Sequence, residues 1–483
     1  MINLVKNELN KIFHKKGLYI LLVLVLGLSF SSFLISNFTP DSDDSAYIEV
    51  QYKYYEEHLS EYDLSNREEL RMYADDYAIY KELELKLDYP DSFGPEYYYI
   101  ENTIGPVLTS MYYAKFVTEN EIEYNTYKEL YDSYVLKLKN FDWKGDLEQE
   151  RKEYLEEKKS LKMALNHEEV DVDEVKKQIE ALDIQISGVD YRLKYNIPYA
   201  NTDESNIIGD YVTDGIAYVN LDKDESLYKT KDEIISKRLV EERYKVAKYK
   251  LENGIIEKSD TTLLKGIILY MFEEIDMIIL IGMFIIIASS IADEFNKGTI
   301  KQLLVKPFTR SEILVSKILA CIIATVAFSV IYLGVYTILY CWDYNDFGVL
   351  FRNHVLYDFA KQEVVEINFF VYCLLKLVTI LPQYFIIFFF TLLVCIITTN
   401  AVGSMAAGIG LMMGAEMVTY YLSDKILAYL PFGCWNFSPY LFGGFSLNKY
   451  ASLPLAIVVC GITLILLIGL SFIIFKRKDI KNQ

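Results

Sequence analysis

Six stretches of this chain are long and apolar enough to cross a lipid bilayer: residues 18–38, 263–291, 318–342, 369–398, 400–422 and 453–475. A helix rises about 1.5 Å per residue and roughly 20 residues span about 30 Å of hydrocarbon, so each stretch predicts a transmembrane helix. Their flanks agree on one orientation. Lys11, Lys15 and Lys16 precede the first stretch and Lys476, Arg477 and Lys478 follow the last, and basic flanks mark the cytoplasmic side. The expectation is a mainly α, multi-pass protein of a bacterial plasma membrane. Both termini are then cytoplasmic, residues 39–262 extracellular, and the acidic loop 343–368 outside.

A cleaved signal peptide is the competing reading of the first stretch. Its apolar run exceeds the usual ~7–15 residues, and no small-x-small site stands out near Ser31 or Ser36. Ahead of it, residues 1–17 place Ile2, Val5, Leu9 and Ile12 at helical spacing among lysines. An amphipathic helix lying in the inner interface is expected there.

Composition makes sense only once the chain is divided. The whole carries a net charge of −19, but residues 40–262 hold about 52 acidic and 29 basic side chains, leaving the remainder at about +4. An acidic soluble region is therefore inserted into a mildly basic membrane protein. All six cysteines (Cys321, Cys341, Cys373, Cys395, Cys434 and Cys460) lie outside the insert, so no disulfide framework holds it and packing must.

Within the insert, Val172, Val175, Ile179, Leu182, Ile186, Val189 and Leu193 alternate in steps of three and four, a coiled-coil stripe. Asp171 and Glu174 can cap its start, and Leu147, Tyr154, Leu161 and Leu165 suggest a preceding antiparallel arm. The expectation is a helical hairpin over about residues 145–196, either projecting or packed on the rest of the insert. Residues 46–88 and 225–253 also read as helices. Residues 196–224 read as a loop, with a short hairpin through 211–220. About 27 of the 41 tyrosines fall in the insert. They either grip a cationic amphipathic peptide, rings and carboxylates together, or serve as amphipathic core and rim.

No catalytic constellation is present. His14, His58, His167 and His354 are scattered without metal-ligand spacing, and no Gly-x4-Gly-Lys-Ser/Thr phosphate loop occurs. The chain is expected to be no enzyme and to hold no metal or cofactor.

Ionisable groups inside spans are costly unless paired or hydrated. Lys376 and Glu416 fall at comparable depth, where they pair, line a translocation path or snorkel to the outer interface. Glu273, Glu274 and Asp276 ring an outer vestibule or simply mark the membrane boundary. In the fifth span Gly403, Ala406, Gly410 and Gly414 form a small-residue stripe for a dimer contact or for packing within the chain. Residues 423–452, aromatic and with Pro431 and Pro439, resemble a segment dipping into the outer leaflet.

Between the second and third spans, residues 292–317 are basic and capped. Gly298 releases the incoming helix, Thr299 can open a short helix that Pro307 ends, and Thr309 with Glu312 forms a capping box for the next span. With Glu294, Gly298, Thr299, Pro307, Arg310 and Lys317 in this setting, the chain resembles the type-two permease family of ATP-binding-cassette (ABC) exporters. The amphipathic start resembles that family's connecting helix.

The resemblance implies a coupling helix in residues 292–317 that seats in a separate ABC ATPase subunit, with ATP and Mg bound in that partner. It implies a homodimer or a heterodimer with a sister permease, the first and fifth spans lining the dimer interface and the path, and short helices capping the path near residues 423–452. It covers most of the chain except residues 40–262, since many members have only a short loop there. The acidic, tyrosine-rich insert favours an amphipathic or antimicrobial peptide as cargo, for secretion or self-protection, over a lipid, drug or wall polymer. An ATPase-coupled signalling or mechanotransmission protein, whose insert engages an envelope partner, is the alternative; nucleic acid is not an expected partner.

Overall fold

The computed structural model describes residues 1–17, 19–23, 27, 44–165, 171–222, 230–273, 277–296, 308–441, 444, 446, 448 and 450–478. The chain divides into two compact units: Met1–Thr39 with Asp260–Gln483, and Pro40–Ser259. Both are helical.

The membrane unit begins with α1 (Ile2–Phe13). Residues 16–17, 19–23 and 27 are helical too, but most of the first expected span lies outside the described residues.

In the second unit, α2 (Asp44–His58) and α3 (Arg67–Asp88) divide what reads in sequence as one helix. Asn66 caps α3 by accepting from the Glu68 amide. Then come α4 (Pro95–Tyr99), a π-helical turn at Ile100–Ile104, α5 (Gly105–Phe116) and α6 (Glu121–Lys139). Ile100, Ile104, Leu108 and Met111 build the core between them.

Next, α7 (Trp143–Ala164) pairs with α8 (Val172–Tyr195), and Asp171 caps the latter. Arg151 bonds Asp190 across the pair at 2.6 Å, and Lys158 bonds Asp183. The pair is not a free hairpin. Ile184 and Gly188, off the heptad stripe, give α8 a second buried face against α9 (Asp203–Asn220), which in turn packs on α10 (Lys231–Glu252). Any side chain at Gly188 would run into Val212, so the glycine sets that approach.

Helix α9 corrects the expected loop and hairpin at 196–224. Thr202 caps it, and Ser205, Ile208, Tyr211, Gly215 and Val219 bury one face; packing on two neighbours overrides the β-branched and glycine content that argued against a helix.

The tyrosines largely stack on one another. Tyr52 lies on Tyr80 with ring centres 4.8 Å apart, Tyr77 meets Tyr112 edge-on at 4.7 Å, and Tyr211 stacks on Tyr244 at 5.7 Å.

The membrane unit resumes with α11 (Ser259–Glu273), α12 (Met277–Ser290), α13 (Ala292–Asn296) and α14 (Arg310–Asp343). Residues 343–368, expected as a loop, contain an antiparallel hairpin of β1 (Asn353–Asp358) and β2 (Glu363–Asn368). There follow α15 (Phe369–Thr398), α16 (Ala401–Tyr421), α17 (Asp424–Leu427) and α18 (Leu453–Arg477).

Among the described residues, Asp260–Phe295, Arg310–Asp343, Phe369–Thr398, Ala401–Thr419 and Leu453–Arg477 are long and apolar enough to span. Helix α12 is apolar on every side and sits at the centre. Glycine permits the closest approaches: a Cβ at Gly282 would meet Phe328 at 2.5 Å, and one at Gly408 would meet Thr391 Oγ1 at 2.6 Å and Phe284 at 2.7 Å.

Candidate functional site

At one end of the membrane unit, three helices bring four charges into a closed ring. The face that α1 buries centres on Leu4, Glu8 and Ile12; of the apolar stripe expected from spacing, Ile12 is buried and Val5 and Leu9 pack beside it, while Ile2 is 84% exposed. Leu4 and Ile12 dock α1 against α12 and α14, and this places Glu8 in the interior at 2% exposure.

There Lys317, fully buried on α14, donates to Glu8 Oε2 at 2.8 Å, to Glu294 Oε2 at 2.6 Å and to the Ser290 carbonyl at 2.9 Å. Lys11 closes the ring, donating to Glu8 Oε1 at 2.8 Å and Glu294 Oε1 at 2.7 Å. Lys15 bonds Asp293 alongside.

Each of the two carboxylates thus accepts from both lysines through separate oxygens. Burial pushes the Glu8 carboxyl up, but Lys317 and Lys11 outweigh it and hold Glu8 below the usual value. Burial likewise pulls the Lys11 ammonium down, and its bonds to Glu294 and Glu8 outweigh that and raise it. An isolated charge buried as deeply as Glu8 or Lys317 would cost several kcal/mol, and the ion pairs of the ring offset that cost.

Further bonds carry the assembly to two more helices. Arg310 Nη1 donates to the Lys476 carbonyl at 2.7 Å and the Lys478 carbonyl at 3.1 Å, capping α18. Lys478 in turn caps α15 through the Ile397 carbonyl at 2.8 Å and the Ile396 carbonyl. The Thr309–Glu312 capping box opens α14 as expected, with the Glu312 amide donating to Thr309 Oγ1 at 3.2 Å and the Thr309 amide to Glu312 Oε2 at 2.8 Å.

The structure therefore gathers Glu294, Arg310 and Lys317 at one end of the bundle. Gly298, Thr299 and Pro307 lie outside the described residues. Glu8 and Lys11 were missed as site residues; a lone acid flanked by Leu4 and Ile12 at four-residue spacing is the signal that could have found Glu8.

The opposite end uses different bonds. Lys265 donates to the Asn353 carbonyl at 2.8 Å, and Arg352 bonds Asp346 at 2.7 Å, fastening the β-hairpin to α11 and α14. Lys376 is buried and donates to Ser438 Oγ at 2.8 Å, close to the Tyr372 ring. Nearby the Phe437 amide donates to the Thr379 carbonyl at 2.9 Å, in the turn of α15 that Pro382 interrupts. Residues 431–440 are thereby docked on α15.

Glu416 instead lies on an exposed face of α16, and among the described residues no ion pair joins it to Lys376. Of the readings open for these two residues, pairing within the chain is not formed, because depth fixes height along the bundle and not which way a helix face turns.

Glu274 and Asp276 lie outside the described residues, as does the side chain of Glu273. The small-residue stripe is outward: a Cβ at Gly410 or Gly414 would meet nothing within 4 Å, and one at Gly403 only its own cap Asn400. Ala406 is exposed too. Packing of α16 within the chain goes through Ser404 and Gly408 instead.

Residues 2–480 match the family model described as ABC-2 family transporter protein. Over 239 residues the chain is 24% identical to a Bacillus subtilis (strain 168) protein described as "Uncharacterized protein YhcI", a match covering 48% of this chain and 74% of that one. No solved structure matches the chain.

Proposed function

Because the chain belongs to the ABC-2 transporter family, as a membrane permease subunit with a separate ABC ATPase, we propose that it exports cargo on a stroke delivered to residues 292–317. ATP and Mg are held by the ATPase, and two permeases and two ATPases form the complex.

The observation that carries this reading is the ring of Glu8, Lys11, Glu294 and Lys317. A push on the segment between Glu294 and Lys317 reaches α1, α13 and α14 together, since parting any two of them strands a buried charge. Arg310 and Lys478 extend the same body to α18 and α15. Buried as they are, Glu294 and Lys317 transmit the stroke; contact with the ATPase is assigned to Gly298, Thr299 and Pro307. The exposed stripe of Gly403, Ala406, Gly410 and Gly414 supports α16 as the contact with the second permease.

In this reading residues 39–262 face outward from a bacterial plasma membrane, both termini stay inside, and the cargo is an amphipathic cationic peptide. The support for that cargo is the excess negative charge of residues 40–262; the tyrosines, stacked among themselves, add little to it.

The test is purification of the tagged protein from its native membrane in mild detergent, with mass spectrometry of what accompanies it, repeated after residues 298–307 are replaced by a flexible linker. An ATPase that copurifies and is lost on replacement is the expected result. Retention of the ATPase by the linker variant would sink the assignment of the docking segment. Stimulation of ATP hydrolysis by cationic peptides, with uptake into inverted vesicles, then decides the cargo.

A further inference from the structure

We propose that the acyl tail of a membrane phospholipid occupies a lateral slot between α12, α14 and α15, as a bound component and not as passing bulk lipid. The slot is a cavity of about 330 Å³ walled by Ile279 and Met283 of α12, Thr325 and Ser329 of α14, and Leu381 and Phe388 of α15, among others. Its wall is almost wholly carbon. The Ser329 hydroxyl is committed to the Thr325 carbonyl at 2.9 Å, which leaves Thr325 Oγ1 as an unpartnered hydroxyl in the lining; one such group falls short of the two to four polar partners that a buried water needs.

Shape points to a chain. Lining residues on α14 run from Ile322 to Leu333, and on α15 from Leu377 to Phe388; eleven helical steps make the slot about 16 Å tall along the helix axes. The small side chains of Thr325 and Ser329 and the Pro382 interruption in α15 coincide with this height.

Position points to a tail. The slot begins twelve residues inside Arg310 and ends ten short of Asp343, which sets it in the middle of a spanning helix, beyond the reach of any headgroup. Its mouth is flanked by Val326, Val330 and Val378, which are 56%, 65% and 56% exposed, on helices whose surroundings are hydrocarbon. No residue of α16, the helix assigned above to a second permease, lines it. The inference requires only that these helices span a membrane; it is independent of the cargo and of the direction of transport.

The experiment uses the full chain in vesicles of phosphatidylethanolamine and phosphatidylglycerol, doped with a phosphatidylcholine carrying a diazirine either at the tail end or beside the ester. After illumination, labelled peptides are mapped by mass spectrometry. The tail-end probe is expected to label residues 322–333 and 377–388 several-fold above the last helix, where Ile465 and Leu466 are 72% and 59% exposed and give the bulk-lipid level; the ester-proximal probe is expected to show no such excess. Ser329→Phe, which fills the slot, should remove the excess and leave the label at Ile465 unchanged. Ser329→Leu makes the same test should the larger ring prevent folding. Labelling no higher than at Ile465, an excess that survives filling, or cross-linking of this face to a second copy would each overturn the proposal.

Discussion

Lys317, on the first turns of one spanning helix, lies 2.6 Å from Glu294, in the last turn of the preceding one, with no solvent exposure of the lysine. Glu8 of the N-terminal helix accepts from the same ammonium at 2.8 Å. A surface ion pair contributes little to stability, whereas removing one partner of a buried set strands the others.

Lys317→Met should therefore destabilise the membrane unit by about 3–5 kcal/mol, because it leaves Glu8 and Glu294 buried with Lys11 alone. Adding Glu8→Gln should recover part of the loss. Thermal unfolding in detergent, followed by size-exclusion fluorescence, checks both; additive losses would show that the residues do not act as one ring.

The pH dependence follows from the two shifted groups. Glu8 is held below the ordinary carboxyl value of 4.5, so its contribution is present above that value and is lost as pH falls through the lower folded one. Lys11 is held above 10.5, so its contribution is present below that value and is lost as pH rises through the higher folded one. The stability difference between wild type and Glu8→Gln should be flat from about pH 5 to about pH 10 and shrink outside that window. Unfolding curves across pH for the two proteins measure it. A difference that disappears near neutrality would contradict the charged ring.

Glycines of α16 should separate by face. Gly408→Ala forces a methyl group within 2.6 Å of Thr391 Oγ1 and should cost about 1–3 kcal/mol of stability. A Cβ at Gly410 or Gly414 meets nothing within 4 Å; Gly410→Leu and Gly414→Leu should leave monomer unfolding unchanged and weaken association of permeases, read by light scattering in detergent. Unaltered association would remove α16 from the dimer contact.

Charge reversal of Lys376 to Glu should not be rescued by Glu416→Lys, since Ser438 and not Glu416 receives the ammonium. Ser438→Ala should loosen residues 431–440 from α15, at about 1.5–3 kcal/mol for a hydrogen bond to a charged group. Limited proteolysis of that segment reports the loosening, and transport assays of the double reversal report the rescue.

Sequence alone determined the long apolar helices and their caps. Continuous apolarity over 369–398 and 453–475 requires spanning helices wherever they pack, since backbone polar groups in lipid must be satisfied within the helix. The Thr309–Glu312 box and the Asp171 cap are local hydrogen bonds, and local spacing is enough to read them. The family resemblance read from the sequence rested on the same kind of information, a short motif between two spans.

Tertiary structure decided which faces meet. Glu8 reads in sequence as one polar residue of an amphipathic helix, and only the docking of Leu4 and Ile12 turns it inward to Lys317. Helix α9 exists because neighbours bury Ile208 and Tyr211, against the local preference of its β-branched and glycine residues. Lys376 bonds Ser438, 62 positions away, although depth had suggested Glu416. Periodicity fixes that a helix has a buried stripe, but the free energy that selects the partner comes from contacts between residues far apart in the chain, which spacing does not encode.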